Sequence, residues 1–162
     1  MSMIDNINPG RLQQRIRHAL RFRHLTVAEK TRVAQRFYRI VFTGEGLAGF
    51  LSTGFDDHVK VFSPDAVGEL RLPTVIDEGI VWQDGVRPAA RDYTPLAFDA
   101  AGNRLTLDFY IHPVGVASDW ASRAQPGDTS ALGGPRDSLV VPEDYAFQLY
   151  VCDETGLPAL KR

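Results

Sequence analysis

The sequence predicts a mainly β fold, a closed antiparallel barrel with short helices. Three observations carry that expectation. Apolar residues recur with a period of two in many short runs, Gly and Pro clusters separate those runs regularly, and stretches of helical periodicity are few and brief.

After Pro9-Gly10, Leu12, Ile16 and Leu20 recur at i, i+4 and i+8, which predicts a short helix over 11–20 with a basic remainder. Alternation begins at Leu25 and Val27 and returns at Tyr38, Ile40 and Phe42. Val59 and Val61 mark another strand, closed by Ser63-Pro64. Segments 68–75 and 79–82 are further candidates, with Pro73 limiting pairing nearby.

The clearest unit is a hairpin: an extended run over 91–98, a Gly-Asn turn within 99–103, and a return strand over 104–112. In the return strand Leu105, Leu107, Phe109 and Ile111 share one face, and Thr106, Asp108, Tyr110 and His112 the other. The first set fits a core and the second is left for a ligand. A short helix over 117–124 follows, with Trp120 as its large apolar residue. Strands are expected over 129–132, 139–141 and 147–151, then a turn at 153–156 and the start of a helix at 157. A strand-turn-helix opening begins a βαβ unit, which needs roughly 30 residues. The chain therefore divides into a basic arm (1–20), a β-barrel domain (21–145) and the truncated start of an α/β domain (146–162).

At 162 residues, 44% hydrophobic and 23% charged, there is material for one real core. A net charge of -2 gives no support to nucleic-acid binding. The cations are nevertheless uneven: Arg11, Arg15, Arg17, Arg21, Arg23, Lys30, Arg32, Arg36 and Arg39 fall in the first quarter. Such a segment meets a phosphate or another anion, or forms a solvated face. The single Cys152 permits no intramolecular disulfide and no cysteine-based zinc site. No apolar run approaches the roughly 20 residues of a membrane span, and residues 1–10 lack an apolar signal core. A cytoplasmic protein with neither membrane nor metal site is the simplest expectation.

Two motifs carry chemistry. In Arg91-Asp92-Tyr93-Thr94-Pro95, Arg91 and Tyr93 share one face of an extended strand. A flavin needs a cation for its pyrophosphate, a flat surface for its ring and a donor near the ring nitrogens. Arginine, tyrosine and threonine supply these in turn; the same residues also occur as ordinary strand surface. Gly115-Val116-Ala117-Ser118 stands at a helix start, where small residues and free N–H groups attract anions. Ser118 serves there either as a ligand contact or as a helix cap.

Set in order with Asp57-His58-Val59-Lys60, Asp108-Phe109-Tyr110-Ile111-His112, Asp119-Trp120-Ala121, Gly134-Pro135-Arg136 and Asp153-Glu154-Thr155, these motifs resemble a family from about Arg21 to Leu160. That family is the siderophore-interacting proteins, FAD-dependent ferric-siderophore reductases of the ferredoxin-reductase-like superfamily. The resemblance implies a six-stranded antiparallel Greek-key barrel that binds FAD, followed by an α/β domain for NADPH or NADH. It assigns Arg91, Tyr93, Thr94 and Pro95 to the flavin motif and Gly115, Ala117 and Ser118 to the phosphate motif. Asp108 and His112 fall near the adenosine or ribityl side, and His58 and Lys60 near flavin or substrate. Leu96, Pro113, Val114, Asp119 and Asp137 depart from the family pattern.

The implied reaction passes electrons from NAD(P)H through FAD to the Fe(III) of a siderophore, a small-molecule partner whose iron is thereby released. No side chain is needed as acid, base or nucleophile. With most of the nucleotide domain missing, a self-sufficient reductase is not expected. The rival reading is a non-catalytic flavin- or anion-binding barrel that acts as a carrier or interaction module.

Overall fold

The computed structural model describes residues 12–162. Its first six strands are β1 (Gln14–Arg17), β2 (Phe22–Ala34), β3 (Phe37–Thr43), β4 (Val59–Phe62), β5 (Thr74–Ile76) and β6 (Gly79–Val81). There follow β7 (Ala90–Tyr93), β8 (Ala97–Asp99), β9 (Arg104–Tyr110), α1 (Val116–Arg123), β10 (Thr129–Gly133), β11 (Asp137–Val140) and α2 (Leu157–Leu160). Seven strands form one antiparallel sheet in the order β7-β4-β10-β2-β3-β9-β8, and β1-β11 and β5-β6 form two small ribbons.

Alternation places the core. Leu25 and Val27 of β2, Ile40 and Phe42 of β3, Val59 and Val61 of β4, and Leu105, Leu107 and Phe109 of β9 are all buried. Each such side chain contributes about 1.5–3 kcal/mol on leaving water. Helix α1 closes one side with Ala121 and Trp120, whose ring stacks on Phe42 at 6.2 Å and 8°. Two register shifts along β2–β3, between Val27 and Glu29 and between Arg32 and Ala34, bend the long hairpin over the core.

The closed six-stranded barrel is replaced by this seven-stranded sheet, whose order leaves β7 and β8 at its two ends. Proline explains the break. The expected run over 91–98 is cut at Pro95, which has no N–H to give a ladder. β7 therefore pairs with β4, while β8 turns to pair with β9. The sheet still curls far enough to bring Tyr93 of β7 against Phe109 of β9, with ring centroids 4.2 Å apart.

Three other expectations change. Arg11 lies outside the described residues, but the helix expected over 11–20 gives way to β1, which pairs with β11 and sets Arg15 against Asp137 at 3.2 Å. Its apolar stripe has no core to enter, and Leu12 and Ile16 remain exposed. The strand expected over 147–151 has no ladder, and Phe147, Leu149 and Val151 lie exposed. Of the candidate at 68–75 only β5 forms, as one arm of the β5–β6 ribbon.

A buried carboxylate fixes the approach to β4. Asp57 Oδ2 accepts from Ser52 Oγ at 2.7 Å, the Gly54 N–H at 3.1 Å and Ser138 Oγ at 2.6 Å. His18 Nε2 meets the same Ser138 hydroxyl at 2.7 Å. Gly54 is required here, since a Cβ would lie 2.5 Å from Asp57 Oδ1 and 2.8 Å from the Leu139 carbonyl. This knot binds β1, β11 and the loop before His58.

Candidate functional site

Beside the curl of the sheet lies a cleft of about 370 Å³ that residues of both sequence motifs line. β7 gives it Arg91, Asp92, Tyr93 and Thr94, and the loop into α1 gives Val114, Gly115, Ala117 and Ser118. The polar face of β9 and its exit form the floor with Asp108, Tyr110 and His112. His58, Phe37 and Thr155 complete the rim.

Arg91 is exposed, and its one hydrogen bond goes from its NH1 to the neighbouring Ala90 carbonyl at 2.8 Å. No carboxylate pairs with it among the described residues. Lys60 and Asp92 neutralise each other at 2.7 Å on the same side of the cleft. Tyr93 is half buried, and burial pushes its phenol up to about 12, against the opposing pull of the Arg91 charge. At neutral pH it is an uncharged donor and acceptor on an aromatic shelf.

The loop into α1 is tied down by Ser118. Its buried Oγ accepts the His112 N–H at 3.0 Å and reaches the Tyr110 carbonyl at 3.4 Å. The hydroxyl thus folds the 112–118 loop onto the end of β9, while Ser118 still lines the cleft. Within α1 the first bond to Gly115 comes from the Asp119 N–H, at 2.8 Å. The N–H groups of Val116, Ala117 and Ser118 therefore have no carbonyl of their own helix to reach. Asp119 is exposed in that first turn, where an acid suits the helix dipole.

Asp108 was expected on a free polar face, yet its carboxylate is buried. Arg39 takes both oxygens, Nε to Oδ1 at 2.8 Å and NH2 to Oδ2 at 2.9 Å. That bond raises the Arg39 pKa above its ordinary value, and Lys161 adds a second cation 3.8 Å from Oδ2. Asp108 consequently lines the cleft as an anchor for Arg39, not as an open acceptor.

Pro95 is buried away from the cleft. His112 stays exposed, edge-on to Tyr110 at 4.8 Å. His58 serves two spaces: the cleft, and an adjoining pocket of about 140 Å³ lined also by Lys60, Arg136, Trp82, Phe22 and Phe62. Among the departures from the family pattern, Asp137 pairs with Arg15 outside the cleft.

Of the lining residues, Phe37 was not singled out in the sequence, and Asp92, Tyr110, Val114 and Thr155 stood in or beside its motifs without a site role of their own. Phe37 and Tyr110 meet edge to face at 5.3 Å across the β3–β9 register, and only the pairing brings them together. Thr155 donates its N–H at 2.9 Å and its hydroxyl at 2.5 Å to Asp153, whose carboxyl these bonds hold below its ordinary range. The Asp-Glu-Thr motif was the available signal for it.

A free guanidinium, a neutral phenol on an aromatic shelf and an open helix start suit one kind of ligand, a flat ring system carrying phosphates. The fold itself recurs among solved structures. The cytochrome P450 reductase GcoB of Amycolatopsis shares the fold at a TM-score of 0.58 and 20% identity, over 89% of this chain and 38% of that one.

The chain belongs to the siderophore-interacting FAD-binding domain family, whose pattern matches residues 26–139. It is 57% identical to the NADPH-dependent ferric-chelate reductase of Escherichia coli strain K12, over 96% of this chain and 61% of the relative. A siderophore utilization protein from T. fusca superposes at a TM-score of 0.80 with 34% identity, over 92% of this chain and 57% of that one. The chain thus spans about three fifths of the relatives' length. No helix among the described residues is long and apolar enough to cross a membrane.

Proposed function

We propose that this chain is the FAD-holding part of a ferric-siderophore reductase. One observation carries the reading: two motifs about twenty residues apart in sequence line a single cleft. The start of α1 and the unpaired Arg91 guanidinium take the pyrophosphate, where backbone N–H groups and a planar cation act together. Tyr93 and Thr94 orient the ring. His112 and the exposed edge of Tyr110 lie toward the adenosine and ribityl side. Asp108 acts through Arg39, holding it in place at the floor.

Bound FAD supplies the exchange between a two-electron donor, NADPH or NADH, and a one-electron acceptor. The E. coli relative is itself described as an NADPH-dependent ferric-chelate reductase. The ferric siderophore is assigned to the surface at the mouth of the neighbouring pocket, which is too small to enclose the complex but whose His58, Lys60 and Arg136 suit the negative charge of Fe(III) wrapped in oxygen donors. Because His58 lines both spaces, the iron complex sits beside the flavin cleft with a protein wall in common. Hard oxygen ligands favour Fe(III), so its reduction loosens the complex.

The reading is tested by loading the chain with FAD, reducing it photochemically without oxygen, and adding a ferric siderophore. Return of the oxidised flavin spectrum is expected, slowed at least tenfold in R136A, since Arg136 is the cation of that pocket without an ion pair among the described residues. A flavin that stays reduced beside the ferric complex would instead favour the carrier reading.

A further inference from the structure

A third pocket, of about 240 Å³, shares Gly134 with the pocket of His58, Lys60 and Arg136. Arg17, His18, Arg21 and Arg23 line it together with Leu51, Ala19, Gly49 and the Gly134-Pro135 corner, and no carboxylate stands in the lining. Elsewhere several cations are neutralised, Arg15 by Asp137, Arg39 by Asp108, Arg71 by Glu69 and Arg104 by Glu29, while others such as Arg91 and Arg136 have no ion pair among the described residues. What sets this pocket apart is that three arginines gather in it. Arg17, Arg21 and Arg23 have no ion-pair partner among the described residues. Asp57, the acid of the knot, has Oδ2 engaged by Ser52, Gly54 and Ser138.

Arg23 is the second and independent observation. It is only 7% exposed, its NH1 donates to the Gly46 carbonyl at 2.8 Å, and its guanidinium lies 5.7 Å from the Phe50 ring centre. Its Nε is buried with no hydrogen-bond partner. An orphaned buried donor on a charged group is costly; because this Nε is shut off from solvent, Arg23 acts on the pocket through its charge. Burial first, and the Arg21 charge second, press the Arg23 pKa below its ordinary value. Both forces make an arriving anion favourable at this place.

We infer that this pocket is an anion site separate from the flavin cleft, and that it takes a phosphate group. Planar guanidinium forks match the tetrahedral oxygens of a phosphate, and several cations without acids select a dianion over chloride. The volume exceeds what one phosphate needs, so both free phosphate and a phosphate monoester fit the inferred site. This assignment does not rest on the flavin reading, since none of the pocket's residues lines the flavin cleft.

The test is calorimetric titration of inorganic phosphate into the FAD-saturated chain, at an ionic strength held constant with sodium chloride. One site is expected, with a Kd at or below about 1 mM. The double variant R17A/R21A, altered only at exposed positions, should weaken it about tenfold or more, and R91A should leave it unchanged. R23Q should abolish it; should that variant fail to fold, the double variant decides alone. Phenyl phosphate binding as well as phosphate identifies the group of a larger ligand, whereas phosphate alone identifies the free anion. Equal heats from wild type and R17A/R21A, or loss of binding in R91A, would overturn the assignment.

Discussion

The hydroxyl of Ser118 accepts the backbone N–H of His112 at 3.0 Å, so the loop that carries the phosphate motif is fastened to the strand that floors the cleft. S118A removes that bond and leaves the His112 N–H without its partner. The expected cost is about 1 kcal/mol, or roughly 2–4 °C in a melting curve for a chain of this size. FAD affinity should fall several-fold because the start of α1 is no longer held in register. S118T, which keeps a hydroxyl, should restore most of both. A variant that loses stability while keeping wild-type FAD affinity would show that the loop fastening does not serve the cofactor.

Tyr93 gives a pH signature. Its phenol is raised from an ordinary 10.0 to about 12 by burial, so the folded chain keeps a proton that the unfolded chain releases. The resulting stabilisation is complete below about pH 10 and is lost as the pH rises through about 12. Denaturant titrations of wild type and Y93F between pH 9 and 12 check this: the wild type should lose its advantage over that range, while Y93F lacks this contribution throughout. A constant difference between the two would remove Tyr93 as the titrating group.

Arg39 and Asp108 form the buried ion pair under the cleft, with the carboxylate wholly inside and the guanidinium about a third exposed. Removing either partner leaves the other uncompensated. D108A and R39A should each cost about 2–3 kcal/mol, the scale of a charged hydrogen bond lost from a partly buried site. Their effects should not add; a double-mutant cycle should return a coupling of at least about 1 kcal/mol. Additive losses would mean that the two groups act separately. R39K should recover little, because an ammonium does not reproduce the two parallel bonds.

Much of this was legible in the sequence, for physical reasons. The β9 strand read correctly because strict alternation from Leu105 to Phe109 has one structural meaning, and all three apolar positions are buried. Arg91, Tyr93 and Thr94 meet the 115–118 loop at one cleft, and the cofactor role read from these motifs is the one proposed for that cleft. Long-range pairing was not legible. The stripe at Leu12, Ile16 and Leu20 suggested a helix, but pairing of β1 with β11 decided otherwise. Asp108 looked free because its partner Arg39 lies 69 residues away, and Phe37 enters the cleft only through the β3–β9 register. Ser118 was read as ligand contact or cap; the third option, a bond back to residue 112, depends on how the loop turns after β9.

The central claim is that the cleft between Arg91 and the start of α1 holds FAD. It is tested most directly by titrating FAD into the purified chain and into R91A and Y93A, following flavin absorbance and fluorescence at low and moderate salt. Arg91 is exposed and bonded only to its neighbour, so R91A should melt with the wild type while binding FAD at least tenfold more weakly, with a smaller salt dependence. Y93A should weaken binding at both salt concentrations. One flavin per chain with these losses is the predicted result; wild-type occupancy in both variants, or no flavin bound by the folded wild type, would contradict the account.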